Sequence, residues 1–529
     1  MVATQIAIAP MVIALVTAIL TLLTRRWTRV QQATSLLGVG AYAVAVAVMI
    51  ATIYPDTILT YQLGTWPAPF GITIVADALS AFMLGLTAVL AVPSLVFSVR
   101  YIDEFGQRVS YHALFHFMLV GVTGSFLTGD IFNLFVWFEV MLMASYVLVV
   151  FYSGPDQTRA ALQYVVLNLV GSAVMLLAIG GIYATVGTLN MADVARRLSD
   201  PAAYGFDPAP VLGLSALLFA VFALKAGLVP FQFWVPAAYQ AAPAPVTAML
   251  AGAVKKVGVY AIVRLYFEIF SAATLPVSLP AIGGESFLAF YGPVLFLLAT
   301  ASIVFGGTGA IARNDIEGLL AYSSIGQVGF IVLPLAIAAS IPDLQALAIA
   351  AALVYALNHA LAKGLLFLVA GAVRSGTGST DLHDLSGLAG SAPLVSAAFF
   401  IGGLALVGIP PLSGFFAKLL VFQTALGGVN LVPLGVALLG AILTIAYVSR
   451  AWNRGFWGEQ SEIASVFEPD RVQIAVLLAL TLAIVLVGVG FDPILDLARA
   501  ASDSALSREA YIEAVDLHTI EAASGGGGH

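Results

Sequence analysis

Apolar segments long enough to cross a lipid bilayer occupy most of this sequence. A membrane-spanning helix needs about 20 predominantly apolar residues to cross roughly 30 Å of hydrocarbon. The sequence contains fourteen such segments, at about 5–24, 34–53, 75–99, 110–127, 130–152, 159–186, 211–238, 245–270, 291–311, 317–338, 344–373, 392–426, 429–450 and 471–490. The connections are mostly short, with longer ones at 54–74, 187–210 and 451–470. We therefore predict an all-α, polytopic membrane protein without a soluble domain.

The composition excludes several other classes of protein. Hydrophobic residues make up 61% of the chain and charged residues 9%, whereas a typical soluble domain has about 25% charged residues. A soluble enzyme could not cover its surface with so few polar groups. The net charge of −7 provides no basic surface for a nucleic acid. Because the chain has no cysteine, it cannot form disulfides, iron–sulfur clusters or thiolate metal sites, and we expect no cofactor.

The arginines predict the orientation in the membrane. The first apolar segment is a full span followed by Arg25, Arg26 and Arg29, which argues against a cleaved signal peptide. Eleven arginines lie in the odd-numbered loops and four in the even-numbered loops and the tail. Since cytoplasmic loops carry the excess of basic residues, we predict cytoplasmic odd-numbered loops and both termini on the outer side. The last residues, Ser-Gly-Gly-Gly-Gly-His, are expected to form a flexible end.

All five lysines fall inside predicted spans: Lys225, Lys255, Lys256, Lys363 and Lys418. A charged residue at the centre of a membrane helix costs about 2.5–3.5 kcal/mol. A lysine can avoid this cost by extending its side chain to the interface, which we expect for Lys255. A buried lysine can release its proton, whereas arginine cannot. Lysines inside the membrane and arginines outside it therefore indicate proton transfer rather than fixed charge pairing.

Acidic and histidine residues extend this pattern. Glu139 lies nine residues into the fifth segment, about 13 Å deep at 1.5 Å per residue, so it must be protonated or paired, in a structural or a functional ion pair. Asp77 and Asp130 lie near span ends and are expected at the interface or as helix caps. His359 and Lys363, four residues apart, share one helix face and suit a proton relay. Alone, His359 would more often be a hydrogen-bonded core residue.

His112 and His116 have the same spacing of four residues. They could form a weak metal or haem pair, but they lie near a cytoplasmic span end without a matching second pair. We therefore predict no metal site there, and the sequence assigns no site to sodium.

Glycine and proline interrupt two of the predicted spans. The seventh carries Gly227 and Pro230 after Lys225, and the twelfth carries Gly408-Ile-Pro-Pro before Lys418. Unwound backbone at membrane depth is tolerated only inside protein or beside a cavity. Two such breaks, five spans apart, predict an inverted-repeat transporter with its ion path at the breaks; proline kinks used only for packing are the alternative. The predicted parts are helices 1–3 in 1–109, a first five-helix repeat in 110–270, a second in 291–450, a last helix in 471–490 and a polar tail in 491–529.

Six motifs make the sequence similar to the antiporter-like proton-translocating membrane subunits shared by complex I and Mrp-type multisubunit cation/proton antiporters. They are Phe138-Glu139, Lys225-Ala-Gly-Leu-Val-Pro-Phe-Gln-Phe-Trp-Val-Pro236, Val254-Lys-Lys-Val-Gly-Val-Tyr260, Leu320-Ala-Tyr-Ser-Ser324, Asn358-His-Ala-Leu-Ala-Lys363 and Gly408-Ile-Pro-Pro-Leu-Ser-Gly-Phe-Phe-Ala-Lys418. The likeness covers roughly residues 60 to 455. The segment 64–77 and Lys418 resemble the D subunits of Mrp antiporters, whereas the A subunits are much longer than this chain.

The resemblance implies roles and partners. It implies that Glu139 and Lys225 are a coupled pair and that Lys418 leads to the exterior. The residues that it implies for the central polar axis between them are Lys256, His359 and Lys363. It further implies the other membrane subunits of an Mrp-type complex as partners, Na⁺ and H⁺ as the transported ions, and a bacterial cell membrane as the location.

Two residues depart from the family pattern. Glu317-Gly318 stands where many relatives have a basic pair, and the carboxylate at 317 is expected to alter the cytoplasmic end of the tenth span. Gln327 stands where several complex I relatives have a histidine. Because glutamine does not titrate, a proton relay through this point would need water.

Two functions share these ion-handling features, and the resemblance to Mrp D subunits favours the first. One is a subunit of a sodium/proton antiporter, and the other is a proton-pumping subunit of a redox-driven complex such as complex I or a membrane-bound hydrogenase. The ion-handling residues are common to both, so the genes next to this one would separate them. A scaffold without transport would not need lysines at the midplane. An organic-solute transporter is disfavoured because no span combines a substrate-sized set of polar groups.

Overall fold

The computed structural model describes residues 2–279, 282–428, 430–468 and 470–517. Each of the fourteen predicted apolar segments is helical there. Twelve helices in the described part are long and apolar enough to cross a membrane, judged by length and composition. Three shorter apolar helices of 17, 15 and 14 residues form the fourth span and the two halves of the twelfth. The predicted all-α membrane fold is confirmed.

The helices follow one another with short connections. The N-terminal part contains α1 (Val2–Leu23), α2 (Thr28–Ile53), α3 (Ala78–Tyr101), α4 (Glu104–Arg108), α5 (Tyr111–Leu127), α6 (Ile131–Val149), α7 (Pro155–Val186) and α8 (Met191–Ser199). The middle part contains α9 (Ala209–Ala226), α10 (Trp234–Ala241), α11 (Ala244–Met249), α12 (Lys255–Ile262), α13 (Tyr291–Ala312), α14 (Ile316–Ser340) and α15 (Gln345–Thr377). The C-terminal part contains α16 (Leu388–Ser391), α17 (Pro393–Val407), α18 (Ser413–Leu426), α19 (Val432–Ala451), α20 (Glu462–Ser465), α21 (Arg471–Val489), α22 (Asp492–Leu506) and α23 (Arg508–Val515).

The eighth span is one continuous helical run, Ala244–Ala272. It contains α11 and α12 together with two π-helical segments, Leu250–Val254 and Val263–Ile269. A π segment widens the helix locally and is often found at functional sites. This span carries Lys255 and Lys256.

Aspartates begin several of the apolar helices. Asp77 accepts a hydrogen bond from the backbone N–H of Ser80 at 2.9 Å and so caps α3. Asp130 accepts one from Asn133 at 2.7 Å and caps α6. These bonds satisfy backbone donors that a helix leaves free at its first turn. The predicted capping roles of Asp77 and Asp130 are confirmed.

The loops that connect the helices contact one another in two groups, one at each end of the helix bundle. At one end, β1 (Leu59–Gln62) pairs antiparallel with β2 (Thr73–Ala76), which also contacts Thr128. The loop after the eighth span contains a second hairpin, β3 (Thr274–Leu279) and β4 (Ile282–Ser286). We call the end with β1 and β2 the outer end, because the arginine pattern predicts that it faces outward.

The opposite, inner end is joined by charged side chains. Arg100 at the end of α3 pairs with Asp470 before α21 at 3.1 Å. Glu317 at the start of α14 pairs with Arg374 in the last turn of α15. The unusual carboxylate at position 317 therefore ties two helix ends together at this end of the bundle.

The polar C-terminal region is mostly helical up to residue 517. The two short helices α22 and α23 lie at the outer end, where α22 packs against α3 and α15. The run of glycines that we predicted to be flexible lies outside the described residues.

The prediction that all arginines lie outside the spans is wrong for Arg264. This residue lies in the eighth span and is 1% exposed. It forms ion pairs with Asp77 at 2.7 Å and with Glu268 one turn further along the helix. A guanidinium keeps its charge in a protein, so burial requires the two carboxylates beside it.

Candidate functional site

A serine joins the predicted pair of Glu139 and Lys225. Glu139 projects from α6 and accepts a hydrogen bond from the hydroxyl of Ser172 on α7. The same hydroxyl oxygen lies 3.5 Å from Lys225 Nζ, which can donate to it. Lys225 is 3% exposed, and its ammonium lies 5.7 Å from the centre of the Phe138 ring. The acid and the base are therefore linked through one hydroxyl group rather than by a direct salt bridge.

The first helix break begins two residues after Lys225. Helix α9 ends at Ala226, Gly227 adopts a positive φ of 69°, and α10 begins at Trp234. Backbone groups freed by the break are bonded by side chains. The indole of Trp234 donates to the carbonyl of Leu224 at 2.8 Å, and the backbone N–H of Val229 donates to Ser302 Oγ at 2.9 Å. The freed carbonyl and N–H groups are therefore bonded inside the protein, whereas Phe233 within the break is 57% exposed.

Lys255 lies inside the protein, not at the interface as predicted. It is fully buried, and its Nζ donates to the carbonyl of Ser324 on α14 at 3.1 Å. A Cβ atom at Gly227 would lie 3.4 Å from this Nζ. Lys255 therefore stands between the first helix break and α14. The sequence analysis missed this position because Lys255 and Lys256 lie on different helix faces, and only one of them was expected to face inward.

Lys256 and His359 form a contact between the eighth span and α15. Lys256 Nζ lies 2.5 Å from His359 Nδ1 and donates to the carbonyl of Ala251 at 2.5 Å. Ala251 belongs to the first π segment of the span. His359 Nε2 is buried and contacts no hydrogen-bond partner among the described residues. The imidazole thus bonds to Lys256 through one nitrogen, and its other nitrogen has no partner in the described part of the chain.

Lys363 lies one helical turn beyond His359, and its side chain contacts α14. Its ammonium donates to the carbonyl of Leu320 at 2.9 Å and to the hydroxyl of Ser323. Lys255 and Lys363 therefore bind neighbouring positions of α14, which carries the predicted motif from 320 to 324.

Tyrosines surround Gln327 one turn further along α14. The hydroxyl of Tyr355 donates to Gln327 Oε1 at 2.5 Å, and Gln327 Nε2 donates to the hydroxyl of Tyr447 at 2.9 Å. Gln327 Nε2 also donates to Thr444 Oγ1 at 3.1 Å. Gln327, which cannot titrate, is thus surrounded by hydroxyl groups. The sequence alone did not predict these neighbours.

Lys418 lies at the second helix break. Helix α17 ends at Val407, Gly408 has a φ of 91°, and α18 begins at Ser413. Lys418 Nζ donates to the carbonyl of Val407 at 2.9 Å and lies 5.3 Å from the centre of the Phe330 ring. Ser413 donates to Asn358 Oδ1 at 2.8 Å and so ties this break to the helix of His359. Both predicted breaks are confirmed.

The five lysines share an environment. All are buried, and among the described residues none forms a salt bridge with a carboxylate. Their ammonium groups meet carbonyls, hydroxyls, aromatic faces or a histidine. A permanent charge without a counter-ion is very costly inside a protein. The arrangement suits groups that gain and lose protons.

His112 and His116 are also buried, but they are bridged by a serine. Ser35 Oγ lies 2.9 Å from His112 Nδ1 and 3.0 Å from His116 Nε2. Across the described part of the chain, no three His, Cys, Asp or Glu side chains are grouped so as to hold a metal ion.

Comparisons with known proteins agree with this geometry. A sequence model of the family described as "NADH:quinone oxidoreductase/Mrp antiporter, TM" matches residues 128–444. This chain belongs to that family. The D subunit of the Na(+)/H(+) antiporter of Alkalihalophilus pseudofirmus is 36% identical over 466 residues, which cover 88% of this chain and 89% of that relative.

Solved structures show the same fold for this family member. A chain of the Mrp complex from Dietzia sp. DQ12-45-1b superimposes with a TM-score of 0.86 at 27% identity, covering 97% of this chain and 99% of that one. A chain of an archaeal respiratory complex, the membrane-bound sulfane sulfur reductase, gives the same TM-score and identity, covering 97% and 100%. The family resemblance predicted from the six motifs is confirmed.

Proposed function

We propose that this chain is the proton-translocating D subunit of an Mrp-type multisubunit Na⁺/H⁺ antiporter in a bacterial cell membrane. In this function it is a secondary transporter subunit and not an enzyme. The other membrane subunits of the complex are its partners. The observation that carries the proposal is the chain Glu139–Ser172–Lys225 beside the first helix break, followed by buried lysines without carboxylate partners.

Because the hydroxyl of Ser172 contacts both Lys225 and Glu139, a proton can pass between these two residues. Ser172 gains one proton and loses another, so it is a neutral hydroxyl before and after the transfer. Lys225 gives a proton to the oxygen of Ser172 while the hydroxyl proton of Ser172 passes to Glu139. The reverse transfer restores the charged pair. Because Lys225 is near the end of α9, a movement of the break would change its distance from Ser172. Such a movement would couple a conformational change to proton uptake or release.

The remaining residues continue the path from the first break to the second. Lys255, Lys256, His359 and Lys363 lie on the eighth span and α15, and Lys418 lies at the second break. When His359 Nδ1 accepts from Lys256, Nε2 of the neutral imidazole carries the proton and can donate it to a water molecule. This order supports the polar axis implied by the family motifs.

The direct test uses membrane vesicles that contain the complete complex. After a pH gradient has been formed, added Na⁺ should collapse it, as followed with a fluorescent pH probe. Vesicles from cells lacking only this subunit should not respond. A sodium response that persists without this subunit would contradict the proposal.

A redox-driven proton pump is the second candidate, because the respiratory sulfane sulfur reductase chain superimposes as well as the Mrp chain does. In that case an electron donor, and not Na⁺, would drive proton movement in the same vesicles. The genes next to this one would then encode iron–sulfur or quinone-binding subunits instead of small Mrp-type membrane subunits.

A further inference from the structure

A buried acid–base cluster at the outer end plays no part in the axis described above. It consists of Asp77, Arg264 and Glu268, all 1% exposed or less. Arg264 lies between the two carboxylates and pairs with both. Asp77 is fully bonded, since it also accepts from Ser80 at 2.9 Å and from Ser504 at 3.0 Å.

The two oxygens of Glu268 have different surroundings. Oε2 accepts from Arg264, whereas Oε1 is buried and contacts no hydrogen-bond donor among the described residues. An ionised carboxylate is strongly destabilised when one of its oxygens is buried without a hydrogen bond. A proton on Oε1 removes the negative charge while Oε2 keeps its bond to Arg264. Glu268 is therefore the member of the cluster built to change its protonation.

The groups that face Glu268 come from three neighbouring elements. Arg264 and Tyr260 lie on its own span, Asp77 precedes α3, and Arg508 and Tyr511 lie on α23. Arg508 donates to the carbonyl of Glu268 at 2.8 Å and to Ser271 at 2.7 Å. The C-terminal helices thus cover the cluster from the outer end.

A cavity at the outer end borders the Asp77 side of the cluster. It has a volume of about 360 Å³, and Ser504, whose hydroxyl donates to Asp77, forms part of its wall. Three carboxylates also line it, Asp56, Asp496 and Asp503, together with Arg499. Ser504 thus lies between this acidic cavity and the carboxylate of Asp77.

On the other side, the cluster shares a helix face with the central axis. Lys256, Tyr260, Arg264 and Glu268 follow one another at intervals of four residues in the eighth span. Residues at this spacing lie above one another on a helix. Arg264 donates to the hydroxyl of Tyr260 at 3.1 Å, and that hydroxyl donates to the carbonyl of Phe126 at 2.8 Å. Hydrogen bonds and an ion pair therefore link Tyr260, Arg264 and Glu268, and Lys256 lies one turn before Tyr260 in α12.

We propose that Glu268 is a proton-exchange residue at the outer end of the eighth span. A proton binds to Oε1 and converts the carboxylate to a carboxylic acid. Release of this proton to a water molecule restores the carboxylate. The inference rests on the proposed transport function, but the protonation of Glu268 can be measured without transport.

The first experiment records pH-dependent infrared difference spectra of the purified complete complex in lipid. The wild-type complex should show a carbonyl band of a protonated carboxylic acid that is missing in Glu268→Gln. Glu268→Asp keeps a carboxylate and should retain such a band. Glu513→Gln, which changes an exposed carboxylate on the same end of the molecule, should leave the band unchanged. A Glu268→Gln spectrum identical to the wild type would overturn the inference.

The second experiment measures Na⁺-driven collapse of a pH gradient in vesicles with the same variants. Glu268→Gln should lower the rate about 100-fold, the lower end of the range for loss of a proton-transfer group, with the complex still assembled. Glu268→Asp should recover much of the rate, and Glu513→Gln should match the wild type. Wild-type transport in Glu268→Gln would overturn the inference, whereas a wild-type complex without any sodium response would contradict only the proposed function.

Discussion

At the scale of single residues, the account depends on the hydroxyl shared by Glu139 and Lys225. Ser172 lies in the middle of an apolar helix, and this is a signal that the sequence offered but that we did not use. The predicted site residues were recognisable because buried lysines and carboxylates are rare in membrane spans. Their hydrogen-bond partners could not be recognised in the sequence. A carbonyl of α14 or a hydroxyl of α19 comes close to these side chains only when the helices pack together.

Replacement of the shared hydroxyl tests this arrangement. Ser172→Ala should lower Na⁺-driven proton movement about 100-fold, because it removes a group that passes a proton. Ser172→Thr keeps a hydroxyl and should retain most of the rate. Equal rates for Ser172→Ala and the wild type in vesicles with equal amounts of complex would show that Glu139 and Lys225 exchange protons by another route.

Arg264 makes a quantitative prediction about stability. Arg264→Ala leaves Asp77 and Glu268 buried without their cation, and breaking a buried ion pair costs about 3–5 kcal/mol. Arg499→Ala is the matched control, because its pair with Asp496 is exposed and should contribute about 0–1 kcal/mol. Thermal unfolding of the purified complex should therefore begin at a clearly lower temperature for Arg264→Ala only. Similar curves for the two variants would contradict this view of the cluster.

At the scale of helices, the sequence predicted the positions of the membrane spans and of their breaks, but not the π-helical segments. Hydrophobic length located the fourteen spans, and glycine with proline located both breaks. The π segments of the eighth span have no comparable signature, because a wider turn is set by contacts with neighbouring helices. Arg264 was overlooked for a related reason: its partner Asp77 is 187 residues away in the chain, so its burial is visible only in the folded structure.

The first break can be tested through its glycine. Gly227 has a positive φ, and an added Cβ would lie 2.7 Å from Val235 Cγ2 and 3.2 Å from Lys255 Cε. Gly227→Ala should therefore displace Lys255 and destabilise the break by about 1–2 kcal/mol, with a clear loss of transport. Gly213→Ala, in the same α9 with open space around it, should transport normally and be as stable as the wild type or slightly more stable. Normal transport by Gly227→Ala would show that the break tolerates movement at this point.

At the scale of the whole molecule, the contacts confirm that loops gather at two ends, whereas the direction of the bundle remains a prediction from the arginines. The five-part division into two repeats between 110–270 and 291–450 also stays a prediction. It agrees with a break and a buried lysine in each part. The absence of native cysteine from the sequence makes the orientation simple to measure.

Single cysteines at the two ends should react differently with a membrane-impermeant maleimide. In intact cells, Glu513→Cys on α23 should be labelled, because α23 lies at the predicted outer end. Trp27→Cys between α1 and α2 is exposed and should be labelled only after the cells are opened. The reverse pattern would invert the orientation.

In the proposed mechanism, Lys225 works by releasing its proton and not only by carrying a charge. Lys225→Arg keeps a positive charge beside Ser172 and Glu139, but arginine does not give up its proton. The decisive measurement is the collapse of a pH gradient by Na⁺ in vesicles that contain the complete complex with this one substitution. We expect normal assembly and almost no sodium-driven proton movement. Wild-type rates with an unchanged pH profile would contradict the account and would make Glu139 and Lys225 a structural pair.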